Sequence, residues 1–203
     1  MLETVRIITL RLAVLSLGLL FFSGCAGTVK HMESAPDEAL VVAPEEGKSM
    51  VVFMRPSTFA FGIQSSVFEI NSDYPSLVGI LAAKKKVSYQ LEPGTHLFMV
   101  IGESADFMSA DLEANKTYYA LVTPRMGVWK ARFSLRPIHA SELESTEFNE
   151  WLDGCEWVIK NADSEQWANE NMPSILSKHE EYYAKWMEKD SSDRPHLMPQ
   201  DGR

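Results

Sequence analysis

The chain has 203 residues, 45% of them hydrophobic and 23% charged, with a formal net charge of −9. This is ordinary globular composition, without the charge excess or aromatic poverty of a disordered chain, and a chain of this length buries roughly two-thirds of its unfolded surface without a metal or disulfide staple. Its acidic balance repels phosphate backbones and argues against nucleic acid as a partner.

Residues 1–24 read as an export signal. Arg6 and Arg11 lead into the apolar run 12–22. About eleven residues at helical rise cover half of a bilayer core, too few to span it and the right length for the apolar region of a signal peptide. The run stops at Phe22-Ser23-Gly24-Cys25, which resembles the lipobox of bacterial lipoproteins. Phe22 stands where that motif usually has an aliphatic residue. The resemblance implies that Cys25 is acylated on sulfur and becomes the new N-terminus; two or three acyl chains, palmitate among them, would hold it in the membrane permanently. The alternative is an ordinary signal peptide followed by a chance cysteine. Ala26, rather than Asp, follows Cys25; by analogy with enteric lipoproteins this favours the outer membrane, facing the periplasm. Removing residues 1–24, where Arg6 and Arg11 outweigh Glu3, leaves a net charge of −10.

If Cys25 carries lipid, Cys155 has no partner for an internal disulfide. It sits among Trp151, Leu152, Trp157 and Val158, and a buried, inert thiol is expected. Residues 25–48 contain Gly, Pro, Glu and Ser without sustained periodicity and read as a flexible tether, its ends roughly 25–29 Å apart as a coil. Leu40-Val41-Val42 interrupts it as a candidate edge strand.

Residues 49–138 alone show strand spacing. About eight short segments qualify: 51–54, 67–70, 77–81, 87–91, 96–101, 108–112, 118–122 and 128–135. In the last, Trp129, Ala131, Phe133 and Leu135 alternate with Lys130, Arg132, Ser134 and Arg136. Glu92-Pro93-Gly94-Thr95 carries Pro and Gly in type II turn positions, a geometry that splays hairpins and so suits a passage between two sheets. The expected fold is mainly β, an antiparallel Ig-like or PEGA-like β-sandwich with a C-terminal helical appendage.

Three motifs in this region, Val51-Val-Phe-Met-Arg-Pro56, Leu91-Glu-Pro-Gly-Thr-His96 and Leu112-Glu-Ala-Asn-Lys-Thr-Tyr-Tyr119, resemble an uncharacterised family of proteobacterial lipoproteins, a domain of unknown function similar in pattern to small PEGA-type β-sandwiches. The resemblance covers roughly residues 49–138. It implies an envelope location and a sandwich fold and carries over no catalytic or binding residue.

Residues 139–190 change to helical period. Ser141 with Glu144 has the form of a helix start, Gly154 of its end, and residues 156–160 read as extended. A second helix opens at Asp163 or Ser164 and is kinked or restarted at Pro173. Its apolar stripe of Ile175, Leu176, Tyr182, Tyr183, Trp186 and Met187 either packs on the sandwich or docks a partner. Residues 191–203 are polar and proline-broken, and disorder is expected.

Chemistry is sparse. The sequence shows no phosphate-binding glycine loop, nucleophile elbow, paired Cys-x-x-Cys or zinc-protease motif, so neither cofactor nor metal is expected, and the protein is read as a non-enzyme. The five histidines are scattered. Glu103, Asp106, Asp111 and Glu113 read either as a solvated acidic edge or as paired carboxylates that bind calcium or serve a hydrolase acting on envelope glycans through Asp111. Lys84-Lys85-Lys86 reads either as a soluble turn that blunts a sheet edge or as a contact for anionic groups. Asn115 heads a sequon but is read as a turn residue. The loop after Arg55 is unusual, because Phe59, Phe61 and Ile63 occupy a connection that is normally polar. It either folds back as a plug or presents aromatic anchors, with Arg55 as the nearest charge. The function expected is a lipid-anchored envelope accessory that binds an envelope protein or peptidoglycan, or supports the envelope structurally without a specific ligand.

Overall fold

The computed structural model describes residues 30–71, 74–125 and 132–203. Cys25 and residues 1–24, read above as an export signal, lie outside the described residues, as do Trp129, Lys130 and Ala131. The strands are β1 (Met32–Ser34), β2 (Ser49–Arg55), β3 (Ser65–Ile70), β4 (Pro75–Leu81), β5 (Lys85–Leu91), β6 (Gly94–Ile101), β7 (Ala105–Leu112), β8 (Thr117–Arg125), β9 (Arg132–Pro137), β10 (Glu156–Lys160) and β11 (His196–Leu197). Two longer helices, α1 (Thr146–Asp153) and α2 (Ser164–Met187), complete the described fold with short 3-10 turns. Strands β2 to β9 overlap the eight segments that the sequence marks out. In β9, Phe133 and Leu135 are buried while Arg132 faces solvent.

The strands form a mainly β sandwich. One sheet has the order β1-β10-β5-β2-β8-β9 and the other β11-β7-β6-β3-β4. Most pairings are antiparallel, but β2–β8, β5–β10 and β7–β11 are parallel, so the sheets are mixed where an antiparallel sandwich was expected. The reason is connection length: parallel neighbours need a long crossover, and here other strands or a whole helix intervene in sequence. The passage between sheets does occur where Pro93 and Gly94 place it, since β5 belongs to the first sheet and β6 to the second, with Gly94 at φ +137°. Asn115 is a turn residue at φ +62°, its Oδ1 accepting from Gly47 N at 2.7 Å.

The core lies between the sheets. Phe53 of β2 meets Phe98 of β6 edge to face, centroids 5.1 Å apart, and both are fully buried. Each such side chain contributes about 1.5–3 kcal/mol by leaving water. Met50, Val52 and Met54, on the opposite face of β2, form a second core with Tyr119, Phe148 of α1 and Cys155. Helix α2 packs on the other sheet through Ala168, Met172, Ile175 and Trp186, with Phe107 of β7 against Tyr183 and Trp186. The stripe therefore faces the sandwich, apart from Leu176 and Met187 at its margins, which are exposed.

Several boundaries differ from expectation. Helix α1 starts four residues later than Ser141 suggested: Ser145 is the cap, its Oγ accepting from Phe148 N at 3.1 Å. Glu142, which accepts from Arg136 and His139 N, instead closes a short turn. Helix α2 runs through Pro173 as one element. The span taken as an appendage contributes β10 to the first sheet.

The tether is fastened at Met32–Ser34, which pair with β10. Met32 is buried and its Sδ accepts from Ile80 N of β4 at 3.4 Å, so β1 closes the gap between the sheets. Leu40-Val41-Val42 forms no strand, and Val42 stays exposed. Residues 191–203 are ordered rather than disordered. They contribute β11, bury Leu197 and Asp201, and exchange backbone hydrogen bonds between Thr117 and Arg203 at 2.8 and 3.1 Å. Local composition missed this because the partners lie 60 or more positions away.

The strands define two poles, about 20 Å apart along β5 from Lys85 to Leu91. One collects the turns 56–64, 82–84 and 153–155, the other the turns 46–48, 92–93 and 113–116.

Candidate functional site

The first pole holds the loop that the sequence singled out. Arg55 ends β2 and is fully buried. Its Nη1 donates to the carbonyls of Ile63 (2.5 Å) and Leu81 (3.2 Å), and its Nη2 to those of Phe59 (3.2 Å) and Ala60 (2.8 Å). The guanidinium lies over the Phe133 ring, 4.7 Å from its centroid. Burial lowers its pKa from the ordinary guanidinium value to about 10, so it remains charged at neutral pH. Arg55 is thus no ligand contact, as a charge beside a binding loop was expected to be. It holds the loop from beneath.

That arrangement explains the outward side chains. Three carbonyls of the loop point down at one guanidinium, Ile63 N closes a turn on Ala60 O at 3.0 Å, and Ala60 takes φ +55°. With its backbone turned inward, the loop turns its side chains to solvent: Phe59 is 52%, Phe61 78% and Ile63 42% exposed. The loop therefore does not fold its aromatic side chains back as a plug over the end of the sandwich.

Phe61 is also one wall of a cleft of about 710 Å³, shared with Thr58, Ala82, Ala83, Gly154 and Cys155, within the size range of small-ligand pockets. A second cleft of about 390 Å³ is lined by Pro56, Leu121, Glu150 and Trp151. Lys84 lines both. It sits at φ +61°, its amide donating to Arg55 O at 2.7 Å and its carbonyl accepting from Glu156 N at 2.9 Å. One residue in the left-handed region thereby ties together the ends of β2 and β10.

The lysine run divides. Lys84 is exposed, but Lys85 and Lys86 are buried inside a sheet with neighbours on both sides, so they do not blunt an edge. Lys85 pairs with Glu156 at 2.5 Å, and this bond, with one from Ser34, holds the Glu156 carboxyl below its ordinary value. Lys86 donates to Leu152 O and lies 4.6 Å over the Trp157 ring; burial lowers its pKa. Cys155 is 4% exposed, and burial raises its pKa. A thiol of this kind is a poor nucleophile at neutral pH, as its apolar neighbours suggested.

The acidic group does not converge. Asp106 is buried between Lys189 (3.3 Å) and Arg125 (3.5 Å), and Glu113 pairs with Lys116 at 2.6 Å. Asp111 accepts from Thr95 Oγ1 at 2.7 Å and lies 3.0 Å from His196 Nε2, while His196 Nδ1 is 2.7 Å from Ser109 Oγ. These contacts fasten β11 to β7, where Ser109 N also donates to Pro195 O at 3.0 Å. Among the described residues, no three His, Cys, Asp or Glu side chains gather as metal ligands would. Sequence reasoning marked the aromatic loop and missed the clefts beside it. Paired small residues, Ala82-Ala83 before the turn and Gly154 after α1, were the available signal.

No family model matches the chain, and no curated protein matches it. A solution NMR structure of a protein from Eubacterium rectale is similar over 45% of this chain and 88% of its own, at 8% identity and a TM-score of 0.30, a likeness too low to carry an argument.

Proposed function

We propose that this chain is a lipid-anchored envelope lipoprotein, acylated on Cys25 and facing the periplasm from the outer membrane, whose sandwich is a non-catalytic module that binds a protein partner through the loop at residues 56–63. The observation that carries the binding reading is the loop itself. Phe59, Phe61 and Ile63 are held in solvent by a buried arginine that takes up the carbonyls beneath them. Exposed aromatic anchors beside a cleft are the usual energetic centre of a protein interface. Peptidoglycan is the second reading, because the cleft beside Phe61 is also lined by Thr58, Lys84, Lys85, Asp153 and Glu156, side chains able to hydrogen-bond a glycan. The lipobox and the turn motifs of residues 49–138 support the envelope location.

The test is cross-linking of the full-length lipoprotein in cells of its native host, followed by capture, with Phe59→Ala/Phe61→Ala as the comparison. A stoichiometric protein partner that disappears in the variant is the expected result. Identical capture by both chains, or retention by isolated peptidoglycan that the double substitution weakens, would sink the protein-binding reading.

A further inference from the structure

The aromatic loop and the point at which the chain enters the sandwich lie at opposite poles. Strand β1 runs antiparallel to β10, with Met32 beside Lys160 and Ser34 beside Val158. Strand β10 begins at Glu156, beside Lys85 and the loop. Following the chain backward from Ser34 through Met32 to Lys30 therefore leads away from the aromatic pole, toward the start of α2, where Ser164 Oγ donates to the His31 carbonyl and the His31 and Trp167 rings stack at 5.6 Å. From Glu156 to the level of Lys30 is about six strand residues, or roughly 20 Å, and the loop projects beyond Glu156.

Because β1 is fastened, only residues 25–30 separate Cys25 from the sandwich. Such a stretch reaches at most about 18 Å whatever its conformation. Turning the sandwich over to bring Phe61 to the bilayer would lift Lys30 roughly 20 Å from it, beyond what the tether can span. We infer that the aromatic pole is held facing away from the membrane that carries the anchor, so that the loop meets a protein on the membrane-distal side and does not insert into lipid. This rests on acylation of Cys25 as proposed above.

The orientation is measured on the full-length, acylated protein in vesicles of phosphatidylethanolamine and phosphatidylglycerol. A donor dye is placed through Thr58→Cys at the aromatic pole or Glu46→Cys at the opposite pole, with an acceptor dye on the lipid. Cys155, a free thiol that lines the cleft beside the loop, is replaced by alanine in both chains so that only the introduced cysteine is labelled. Energy transfer from position 46 is expected to exceed that from position 58 severalfold, and Cys25→Ser to abolish transfer from both. Equal transfer, or stronger transfer from position 58, overturns the orientation and makes the loop a membrane-inserting device, while leaving the anchor intact. Mass spectrometry of the purified chain keeps the two failures apart, since an unacylated Cys25 overturns the anchor and the orientation with it.

Discussion

Two segments behave opposite to their composition. Residues 56–63 are rich in phenylalanine and lie in solvent, whereas residues 191–203 are polar and proline-broken and are anchored in the fold. Backbone and carboxylate hydrogen bonds decide both cases. In the loop, Arg55 binds the carbonyls and turns the side chains out. In the tail, the Asp201 carboxylate, 1% exposed, accepts from Met198 N at 2.9 Å and Ala140 N at 3.0 Å and lies 3.0 Å from His139 Nδ1. Hydrophobicity sets how much surface is removed from water in total, and satisfaction of buried polar groups sets which segments are drawn in.

The contrast is broken most severely at the tail. Asp201→Ala leaves the amides of Met198 and Ala140 and the His139 ring without their acceptor, and a loss of about 3 kcal/mol in urea unfolding is expected. A variant within 0.5 kcal/mol of wild type would show that the tail contributes nothing to the fold. Gly202→Ala tests the same contact sterically. An added Cβ would lie 2.6 Å from the Tyr118 ring and 2.9 Å from Lys116 Cβ, and about 2 kcal/mol of strain is expected, read as a lowered Tm.

At the loop the effect is more local. Arg55→Met leaves the carbonyls of Phe59, Ala60, Ile63 and Leu81 without their donor, and about 1–2 kcal/mol is expected. Hydrogen exchange is the sharper readout: amides of residues 56–63 should exchange faster while those of β6 and β7 keep their protection. Uniform loss of protection across both sheets would instead make Arg55 a core residue and not a loop holder.

Acid separates the segments without mutation. Burial by itself raises the Asp201 pKa, but the Met198 and Ala140 amides and His139 overcome it, and the group lies below its ordinary 3.8. Its stabilisation is therefore fully present above pH 3.8 and is lost as pH falls through the lower folded value. Arg55 gains no proton in that range. Limited proteolysis below pH 3.8 should then release residues 191–203 before it cuts the loop; simultaneous cleavage would remove the distinction. The smallest effect belongs to Phe59→Ala/Phe61→Ala, whose side chains are already in solvent. Stability within about 0.5 kcal/mol of wild type is expected, and a larger loss by calorimetry would mean that the loop packs on the fold after all.

Strands β2 to β9 were legible as short apolar or alternating runs closed by turn residues: β2 buries both faces and reads as an apolar run, while a period of two survives in sequence wherever only one face is buried. Phe133 and Leu135 against Arg132 is such a case. The change of sheet at Pro93-Gly94 was legible because turn geometry is local. The strand pairings that build the edges were not. Met32–Ser34 and His196–Leu197 are too short to show a period, and their partners are β10 and β7, far away in the chain.

The candidate site divides in the same way. Phe59, Phe61 and Ile63 stood out as apolar residues in a connection, and that alone marked the loop. Whether they turned in or out was not a property of the loop's own residues. It depended on a guanidinium at the end of β2, on Phe133 of β9 beneath it, and on Lys84 joining β2 to β10. Periodicity and turn chemistry, which act between near neighbours, were thus determined by the sequence alone. The edges, the ordered tail and the exposure of the aromatic loop were decided in the tertiary structure, because a buried hydrogen bond between distant residues leaves no local pattern to read.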